Sequence, residues 1–161
     1  MREILVDLEK CLGCKTCELA CATAHSKEKN FFAAIFEEPK PVRRIFVEAD
    51  GSTNFPLTCR HCEDAPCVTA CMSGALTKDE LTGEVVLNSQ RCIGCFMCVM
   101  VCPFGVIVEN QRKAAKCDRC AEIGYPQCVL ACPTKALSFI EVPVYAKKER
   151  KKYLTNFLVK E

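Results

Sequence analysis

Sixteen cysteines in a chain of 161 residues are the side chains best suited to chemistry, because thiolates bind soft metal ions and take part in redox reactions. They form four quartets, and no cysteine is left over. Every quartet begins with C-x-x-C and ends with C-x-x-x-C, while the middle step is three residues in quartets 1 and 3, five in quartet 2 and eight in quartet 4. In chain order the quartets are Cys11, Cys14, Cys17 and Cys21; Cys59, Cys62, Cys67 and Cys71; Cys92, Cys95, Cys98 and Cys102; and Cys117, Cys120, Cys128 and Cys132.

This spacing favours iron–sulfur clusters over zinc. Zinc sites use paired C-x-x-C knuckles set well apart, so three cysteines in one short loop would crowd a single tetrahedral ion. A short C-x-x-C-x-x-C loop suits three corners of a 4Fe-4S cube, and in two-cluster ferredoxins the fourth cysteine, next to proline, binds the other cluster. Cys102-Pro103 and Cys132-Pro133 fit this pattern. We therefore predict four 4Fe-4S clusters, with structural zinc and disulfides as the alternatives.

The composition argues against several other functions. The seven glycines are never closer than nine residues apart, so the chain has neither a G-x-G-x-x-G fingerprint nor a P-loop. A formal net charge of +2 gives no electrostatic reason to expect nucleic acid or a membrane surface as partner. No apolar run approaches the length of about 18 residues that indicates a membrane span, and quartet 1 follows the first methionine without a leader. We expect a cytoplasmic protein that works in a reducing, anaerobic environment.

Short apolar segments flank the quartets and must position them. A β-hairpin is predicted at residues 75–87, with its turn at residues 78–83. Gly13 and Gly94 lie between the first two cysteines of their quartets, where a tight loop needs backbone freedom. Short helical turns are predicted before the last cysteines of quartets 1 and 3. β-branched and aliphatic residues predict short strands at residues 4–6, 44–48, 84–87, 105–109 and 136–142.

The four quartets resemble those of four-cluster iron–sulfur subunits that serve molybdenum reductases, formate dehydrogenases, hydrogenases and carbon monoxide dehydrogenases. Within that family, the segments CLGCKTCELACATAH and PVRRIFVE are most similar to the ferredoxin-like subunit of carbon monoxide dehydrogenase. The resemblance implies an α+β fold of two nested bacterial-ferredoxin-like modules, with short β-hairpins and short helices around 4Fe-4S clusters. An outer module would comprise residues 1–30 plus 111–142 and an inner module residues 53–110, with a connecting insertion at 31–52 and a basic, amphipathic tail at 143–161.

The same resemblance implies crossed ligand sets, in which quartet 1 partners quartet 4 and quartet 2 partners quartet 3. Because Cys95 is present, all four clusters are expected to be complete cubes. Ala22 and Met72 stand where proline commonly follows the last cysteine of a ferredoxin quartet. The implied sets are Cys11, Cys14 and Cys17 with Cys132; Cys117, Cys120 and Cys128 with Cys21; Cys59, Cys62 and Cys67 with Cys102; and Cys92, Cys95 and Cys98 with Cys71.

These features predict an electron-transfer subunit without catalytic residues of its own. It would relay electrons between a catalytic oxidoreductase, for which carbon monoxide dehydrogenase is favoured, and a second redox partner such as a flavoprotein or hydrogenase. A formate dehydrogenase, hydrogenase or aldehyde oxidoreductase is the alternative catalytic partner. From a different class, the alternative is a cysteine-rich zinc protein with a structural or nucleic-acid-binding role.

Residues outside the quartets carry weaker signals. His25 and His61 are candidate ligands, but packed or surface imidazoles are favoured because cysteine fills every ligand position. The apolar run FFAAIF, residues 31–36, is interpreted as internal cover for a cluster, with contact to a partner as the alternative. Basic side chains are interpreted as solvated, with docking of an acidic partner as the alternative, at Arg43, Arg44, Arg112, Lys113 and Lys116. Docking on another subunit and packing on the same chain both remain open for the helically spaced tail residues Tyr153, Leu154, Phe157 and Leu158.

Overall fold

The computed structural model describes residues 2–158; Met1 and residues 159–161, the end of the predicted tail, lie outside the described residues. Within this range the chain forms eight short strands and six helices, with one 3₁₀ turn at Leu8–Lys10. The strands are β1 (Arg2–Val6), β2 (Ile45–Asp50), β3 (Thr53–Thr58), β4 (Leu76–Lys78), β5 (Val85–Leu87), β6 (Val108–Asn110), β7 (Lys113–Ala115) and β8 (Leu137–Glu141). The helices are α1 (Thr16–Ala24), α2 (Phe31–Phe36), α3 (Pro66–Thr69), α4 (Met97–Val101), α5 (Gln127–Leu130) and α6 (Val142–Leu158).

The strands of residues 2–158 pair as four separate two-stranded antiparallel sheets. Three are hairpins of consecutive strands, whereas the fourth joins β1 to β8, with Val6 opposite Leu137. Cys11 follows β1 and Cys132 precedes β8, so this long-range pairing brings the beginning of quartet 1 close to the end of quartet 4.

Two clusters of buried side chains form the core, and each contains cysteines from two quartets. The first combines Ile4, Ile45 and Leu137 with cysteines of quartets 1 and 4. The second combines Leu76 and Val85 with cysteines of quartets 2 and 3. Sulfur therefore occupies much of the interior that aliphatic side chains fill in an ordinary small domain.

The predicted α+β class of short helices and antiparallel strand pairs is confirmed. Each of the five predicted strand segments overlaps a strand, and the hairpin at residues 75–87 forms from β4 and β5. The Asp79 carboxylate stabilises its turn by accepting the backbone N–H groups of Leu81 and Thr82. Strands β3 and β7 were not predicted, because β3 contains Pro56 and β7 has no β-branched residue. Pro56 is tolerated because a two-stranded sheet consists of edge strands.

Two helices place apolar side chains in solvent. Asn30 caps α2 by accepting the backbone N–H groups of Phe32 and Ala33. Interpreting FFAAIF as internal cover is wrong for four of its large side chains, since only Ala34 is buried. No residue of α6 is buried. The side chains exposed on the two helices include Phe31, Phe32, Ile35 and Phe36 on α2 and Tyr153, Leu154, Phe157 and Leu158 on α6.

Helix α6 is the longest helix of residues 2–158, and five of its residues are lysine or arginine. No helix in the described part of the chain has both the length and the apolar character needed to cross a membrane.

Candidate metal centres

The four C-x-x-C loops share a backbone feature at their third residue. In each loop the third residue has a positive φ, with values of 68° at Gly13, 45° at His61, 72° at Gly94 and 54° at Arg119. Glycine adopts this conformation without strain, whereas a residue with a Cβ atom does so at a cost. The turn was therefore readable from the sequence in quartets 1 and 3, where glycine marks it. In quartets 2 and 4 the repeated C-x-x-C spacing was the available signal.

The two glycine loops differ in how closely other atoms approach them. A Cβ atom added at Gly94 would collide with the backbone carbonyl oxygen of Arg112, in the turn between β6 and β7. A Cβ atom added at Gly13 would instead meet the side-chain amide of Asn54, which can rotate away. Gly94 therefore fixes the position of loop 3 against a neighbouring hairpin, and Gly13 is under a weaker constraint.

In every quartet, at least one cysteine sulfur accepts a hydrogen bond from a backbone N–H group. Such hydrogen bonds favour the thiolate, which is the form of cysteine that binds iron. Hydroxyl groups of Thr16, Ser73 and Thr134 also lie within 3.4 to 3.7 Å of the sulfurs of their neighbouring cysteines. The N–H donors and sulfur acceptors are Arg44 to Cys21 (3.2 Å), His61 to Cys59 (3.5 Å), Leu76 to Cys71 (3.4 Å), Ala114 to Cys92 (3.5 Å) and Arg119 to Cys117 (3.4 Å).

Burial has the opposite effect on several of the thiols. It raises the pKa of Cys17 to about 11 and that of Cys21 to about 12, and it raises the pKa of Cys128 still further. At Cys71 and Cys132, hydrogen bonds from backbone and hydroxyl groups outweigh burial and lower the pKa. A buried thiolate needs a positive counter-charge, and a bound metal supplies one while displacing the proton. The donor set therefore fits a thiolate-ligated iron cluster.

Sulfurs from different quartets lie within electrostatic reach of one another. Beyond the effect of burial, a charge on Cys132 would raise the pKa of Cys17, and charges on Cys117 and Cys120 would raise that of Cys21. Among the cysteines of quartets 2 and 3, a charge on Cys102 would raise the pKa of Cys59 and of Cys67. A charge on Cys71 would raise the pKa of Cys98. The last cysteine of each quartet is thus a neighbour of loop cysteines from a different quartet. Two further neighbour pairs are Cys17 with Cys128, and Cys59 with Cys117.

Exposure differs between the loops. Cys14 and Cys95, the second cysteines of quartets 1 and 3, are the two exposed members of the sixteen. Cys117 and Cys120 in loop 4 are buried, and Cys59 and Cys62 in loop 2 are partly buried. The glycine loops therefore face solvent, while loops 2 and 4 lie further inside.

His61 connects loop 2 to strand β5. Its ring is 1% exposed, and Nδ1 accepts the backbone N–H of Val85 at 3.0 Å. Burial, assisted by the charges of Lys116 and Arg119, lowers the pKa of His61 to about 2, so the ring is neutral. His61 is therefore a packed imidazole, the interpretation favoured from the sequence. Its Nε2 atom is buried without a hydrogen-bond partner in residues 2–158.

Arg119 connects loop 4 to two other elements. Its side chain is 4% exposed and lies between the carboxylates of Glu84, at 2.8 Å, and Glu3 on β1. Lys116 is also buried, and its Nζ donates to the carbonyl oxygens of Val85 and of Cys117, the latter at 2.7 Å. Interpreting Lys116 as a solvated charge is therefore wrong. Its burial depends on the packing of β5 against loop 4, which composition does not reveal.

A second polar network also stabilises loop 4. Asp118 accepts hydrogen bonds from the Arg44 guanidinium (2.6 Å) and the backbone N–H of Cys120 (3.0 Å). His25 Nε2 lies 3.1 Å from the same carboxylate, and His25 Nδ1 lies 2.7 Å from the carbonyl oxygen of Cys21. The network ties loop 4 to the end of α1, and it explains His25 as a packed side chain with polar partners.

Two iron–sulfur families match the chain. Residues 52–142, which contain quartets 2 to 4, match the family described as 4Fe-4S dicluster domain. Residues 8–24, which contain quartet 1, match the family described as 4Fe-4S binding domain. All four quartets therefore fall within matches to iron–sulfur families.

The chain is also similar to iron–sulfur and electron-transport proteins. It is 42% identical to an iron-sulfur protein of Rhodospirillum rubrum, over 88% of this chain and 83% of that protein. It is 40% identical to the putative electron transport protein YsaA of Escherichia coli K12, over 88% of this chain and 90% of that protein. It is 36% identical to the thiosulfate reductase electron transfer subunit PhsB of Salmonella typhi, over 84% of this chain and 73% of that protein.

Proposed function

The chain belongs to the 4Fe-4S dicluster family, and on that premise we propose that it relays electrons through four 4Fe-4S clusters between a catalytic oxidoreductase and a second redox protein. It is an iron–sulfur electron-transfer protein, as the names of its relatives indicate, and not the catalytic subunit. The observation that carries the number of clusters is the presence of sixteen cysteines in four quartets, each beginning with a C-x-x-C loop whose third residue has a positive φ. The bound clusters supply the one-electron chemistry, and this chain supplies their position and environment.

We propose the crossed ligand sets for these clusters. One outer cluster would be bound by Cys11, Cys14 and Cys17 with Cys132, in keeping with the electrostatic contact between Cys17 and Cys132. The same kind of contact supports the other three assignments. They are Cys117, Cys120 and Cys128 with Cys21; Cys59, Cys62 and Cys67 with Cys102; and Cys92, Cys95 and Cys98 with Cys71.

The neighbour pairs between quartets suggest a linear order of the clusters. Cys17 neighbours Cys128, which favours placing the cluster of loop 1 next to that of loop 4. Cys59 neighbours Cys117, which favours placing loop 4 next to loop 2. The order would be loop 1, loop 4, loop 2 and loop 3, with the exposed cysteines Cys14 and Cys95 at the two ends. Electrons would then enter and leave where the chain is most accessible to partners.

The division into modules stays a prediction, with residues 1–30 plus 111–142 as the outer module and 53–110 as the inner one. The two buried side-chain clusters and the pairing of β1 with β8 support it. Within this scheme residues 31–52 connect the modules, and residues 143–161 form the tail.

Paired serine substitutions test the crossed ligand sets without assigning any spectrum. If Cys95 and Cys102 bind different clusters, the double variant Cys95→Ser/Cys102→Ser should lose about as much iron as the two single variants together. The matched control is Cys59→Ser/Cys102→Ser, which should lose no more iron than the more damaging single variant, because both residues would bind one cluster. The opposite pattern, with additive loss only in the control, would refute the crossed sets.

Metal analysis of anaerobically purified protein checks the number of clusters. Four complete cubes require about sixteen irons and as much acid-labile sulfide per chain. A clearly lower iron content in fully coloured protein would mean that one quartet does not hold a complete cube. The zinc alternative is not retained, because both matching families bind 4Fe-4S clusters.

For the catalytic partner, we propose an oxidoreductase subunit and favour carbon monoxide dehydrogenase, on the resemblance of residues 11–25 and 41–48. Formate dehydrogenase, hydrogenase and aldehyde oxidoreductase are the alternatives, with a flavoprotein or hydrogenase as second partner. The relative named as a thiosulfate reductase electron transfer subunit supports the general arrangement with a catalytic partner. We also propose that the protein acts in an anaerobic cytoplasm.

Anaerobic purification of the tagged chain from its own cells tests this partner. A co-purifying protein that oxidises carbon monoxide is the expected result. A co-purifying molybdenum protein that oxidises formate would replace carbon monoxide dehydrogenase with formate dehydrogenase, and would leave the electron-transfer role unchanged.

A further inference from the structure

Three buried side-chain atoms of residues 2–158 have no hydrogen-bond partner, and each of them can act as a donor. They are Arg44 Nε, Thr58 Oγ1 and His61 Nε2. Unsatisfied buried polar groups are rare in folded proteins, and each one requires an explanation. What the three groups have in common is the need for an acceptor that no described residue provides.

All three residues lie beside cysteines. The backbone N–H of Arg44 donates to the sulfur of Cys21 at 3.2 Å. Thr58 directly precedes Cys59, and His61 follows it by two residues, with its backbone N–H 3.5 Å from the Cys59 sulfur. The sulfur atoms of an iron–sulfur cluster accept hydrogen bonds. The position of the unsatisfied donors therefore fits cluster sulfur as their acceptor.

His61 is the donor whose chemistry is fixed most tightly. Its Nδ1 accepts the backbone N–H of Val85 at 3.0 Å, and a backbone N–H can only donate. Nδ1 therefore carries a lone pair, and the hydrogen of the ring is on Nε2. Because the residue is 1% exposed, bulk solvent does not supply an acceptor for this N–H.

Acceptors on the residues next to His61 already have donors of their own. None of these oxygens lies within hydrogen-bonding distance of Nε2. The pairs are the carbonyl oxygen of Val85 with Lys116, that of Cys62 with Lys78, and the carboxylate of Glu84 with Arg119. An acceptor from outside the polypeptide is therefore required.

The contacts of His61 lie where loops 2 and 4 meet on strand β5. His61 belongs to loop 2 and binds the N–H of Val85. The carbonyl oxygen of the same residue accepts from Lys116, whose Nζ also donates to the carbonyl oxygen of Cys117 in loop 4. The clusters bound by these two loops are therefore the ones whose sulfurs the ring can meet.

We propose that the Nε2–H of His61 donates a hydrogen bond to a sulfur atom of a cluster at the junction of loops 2 and 4, and that this bond raises the reduction potential of that cluster. The proposal rests on the cluster-binding role given under Proposed function. Reduction adds one electron from the redox partner without forming or breaking a covalent bond. A donor directed at sulfur stabilises the added negative charge.

Selective labelling of histidine with ¹⁵N tests the hydrogen bond, because the chain has two histidines, His25 and His61. In anaerobically reduced protein, pulsed electron paramagnetic resonance should detect a ¹⁵N coupling to a cluster, and His61→Asn should abolish it. The coupling should persist in His25→Gln, where His61 is the sole labelled residue. This variant keeps the test decisive even if substitution of His61 costs the protein a cluster. Absence of the coupling from His25→Gln would overturn the proposal.

Two serine substitutions identify the cluster that provides the acceptor. The coupled signal should be the one that Cys62→Ser alters or removes if the sulfur belongs to the loop 2 cluster. It should be the one that Cys120→Ser alters or removes if the sulfur belongs to the loop 4 cluster. A coupled signal that neither substitution changes would belong to loop 1 or loop 3 and would refute the assignment to this junction.

Redox titration separates the donor from the structural contact of His61. Asparagine retains an acceptor for the Val85 N–H, but its shorter side chain does not extend to the position of Nε2. At the wild-type midpoint of the coupled cluster, the ratio of reduced to oxidised form should fall about fivefold in His61→Asn, which corresponds to about 41 mV for one electron. The other three ratios should change less than twofold.

His61→Gln is the matched control, because its longer side chain carries an amide N–H at about the distance of Nε2. It should keep the ratio of the coupled cluster within twofold of the wild-type value. An unchanged ratio in His61→Asn would contradict the proposal, and equal falls in the two variants would assign His61 a purely structural role.

Iron content distinguishes failure of this proposal from failure of the proposed function. Full iron without a histidine ¹⁵N coupling would overturn the hydrogen bond alone. Wild-type protein without iron would instead refute the cluster-binding function itself.

Discussion

Loops 1 and 3 turn on glycine, whereas loops 2 and 4 adopt the same turn with His61 and Arg119. A positive φ costs a residue with a Cβ atom about 1 to 3 kcal/mol, so the turns of loops 2 and 4 are intrinsically less stable than those of loops 1 and 3. The location of the loops explains why the two pairs differ. The glycine loops carry the exposed cysteines, and the other two loops lie inside, where a side chain at the turn reaches other elements.

Both interior side chains bind the hairpin of β4 and β5. His61 accepts the N–H of Val85, and Arg119 binds the carboxylate of Glu84, the residue before it. Two loops that belong to different quartets are thus held on adjacent residues of one hairpin. The strain of the turn is offset by contacts that a glycine could not make.

Gly94→Ala should have the largest effect, because backbone atoms leave no room for a side chain at this position. The added Cβ would collide with the carbonyl oxygen of Arg112, in addition to the strain of about 1 to 3 kcal/mol at positive φ. We expect loss of the cluster bound by loop 3, measured as a fall of about one quarter in iron and sulfide.

Gly13→Ala is the control for that substitution. It introduces similar strain, but the neighbouring Asn54 side chain can move, so most of the iron should remain. Equal iron loss in both variants would mean that φ alone, and not the close approach of Arg112, limits the glycine loops.

Arg119→Met should have the next largest effect, because it removes the side chain whose ion pairs offset the backbone strain in loop 4. Glu3 and Glu84 would face each other without a cation. Breaking a fully buried pair costs about 3 to 5 kcal/mol, and partial exposure of these carboxylates reduces the expected loss to about 2 to 3 kcal/mol. Anaerobic guanidinium unfolding, followed by cluster absorbance, measures the change.

Lys29→Met provides the comparison for Arg119→Met, since Lys29 pairs with Glu122 on the surface. Its loss should cost less than about 1 kcal/mol. Similar losses in the two variants would show that Arg119 does not stabilise the junction through its buried ion pairs.

Sequence reasoning recovered the features that repeat along the chain. The C-x-x-C spacing identified all four loops, and the β-branched and aliphatic residues identified β5 and its hairpin. It did not identify Lys116 and Arg119 as buried, because a charged residue next to a cysteine reads as a surface residue until tertiary packing supplies its partners. The exposure of FFAAIF was missed for the converse reason, since an apolar run predicts burial only on average.

His61→Gly converts loop 2 to the glycine type and tests whether the contact of His61 outweighs the strain of its turn. The backbone strain is relieved, but the N–H of Val85 loses its acceptor, and a buried unsatisfied donor costs about 1 to 3 kcal/mol. We expect a net loss of about 1 kcal/mol in the same unfolding measurement. His61→Asn should lose less, because asparagine tolerates positive φ and retains an acceptor. A glycine variant more stable than wild type would refute the anchoring role of His61.

Asp118→Asn should have the smallest effect and tests the second residue of loop 4. Burial tends to raise the pKa of Asp118, but the His25 hydrogen bond and the Arg44 charge outweigh it and hold the pKa well below its usual value of 3.8. A lowered pKa in the folded state stabilises the fold fully above 3.8, and this contribution is lost only as the pH falls below that value. The Asp118 carboxylate therefore stays ionised between pH 6 and 8, and its own titration should not make the loss in the variant increase with pH over this range. The size of this loss should be about 0.5 to 1 kcal/mol, because the Asp118 side chain is 43% exposed and solvent screens its pair with Arg44. Unfolding of both proteins at pH 6, 7 and 8 provides the measurement. A difference that increases steadily over this range would mean that Asp118 titrates near neutrality, contrary to the contacts that surround it.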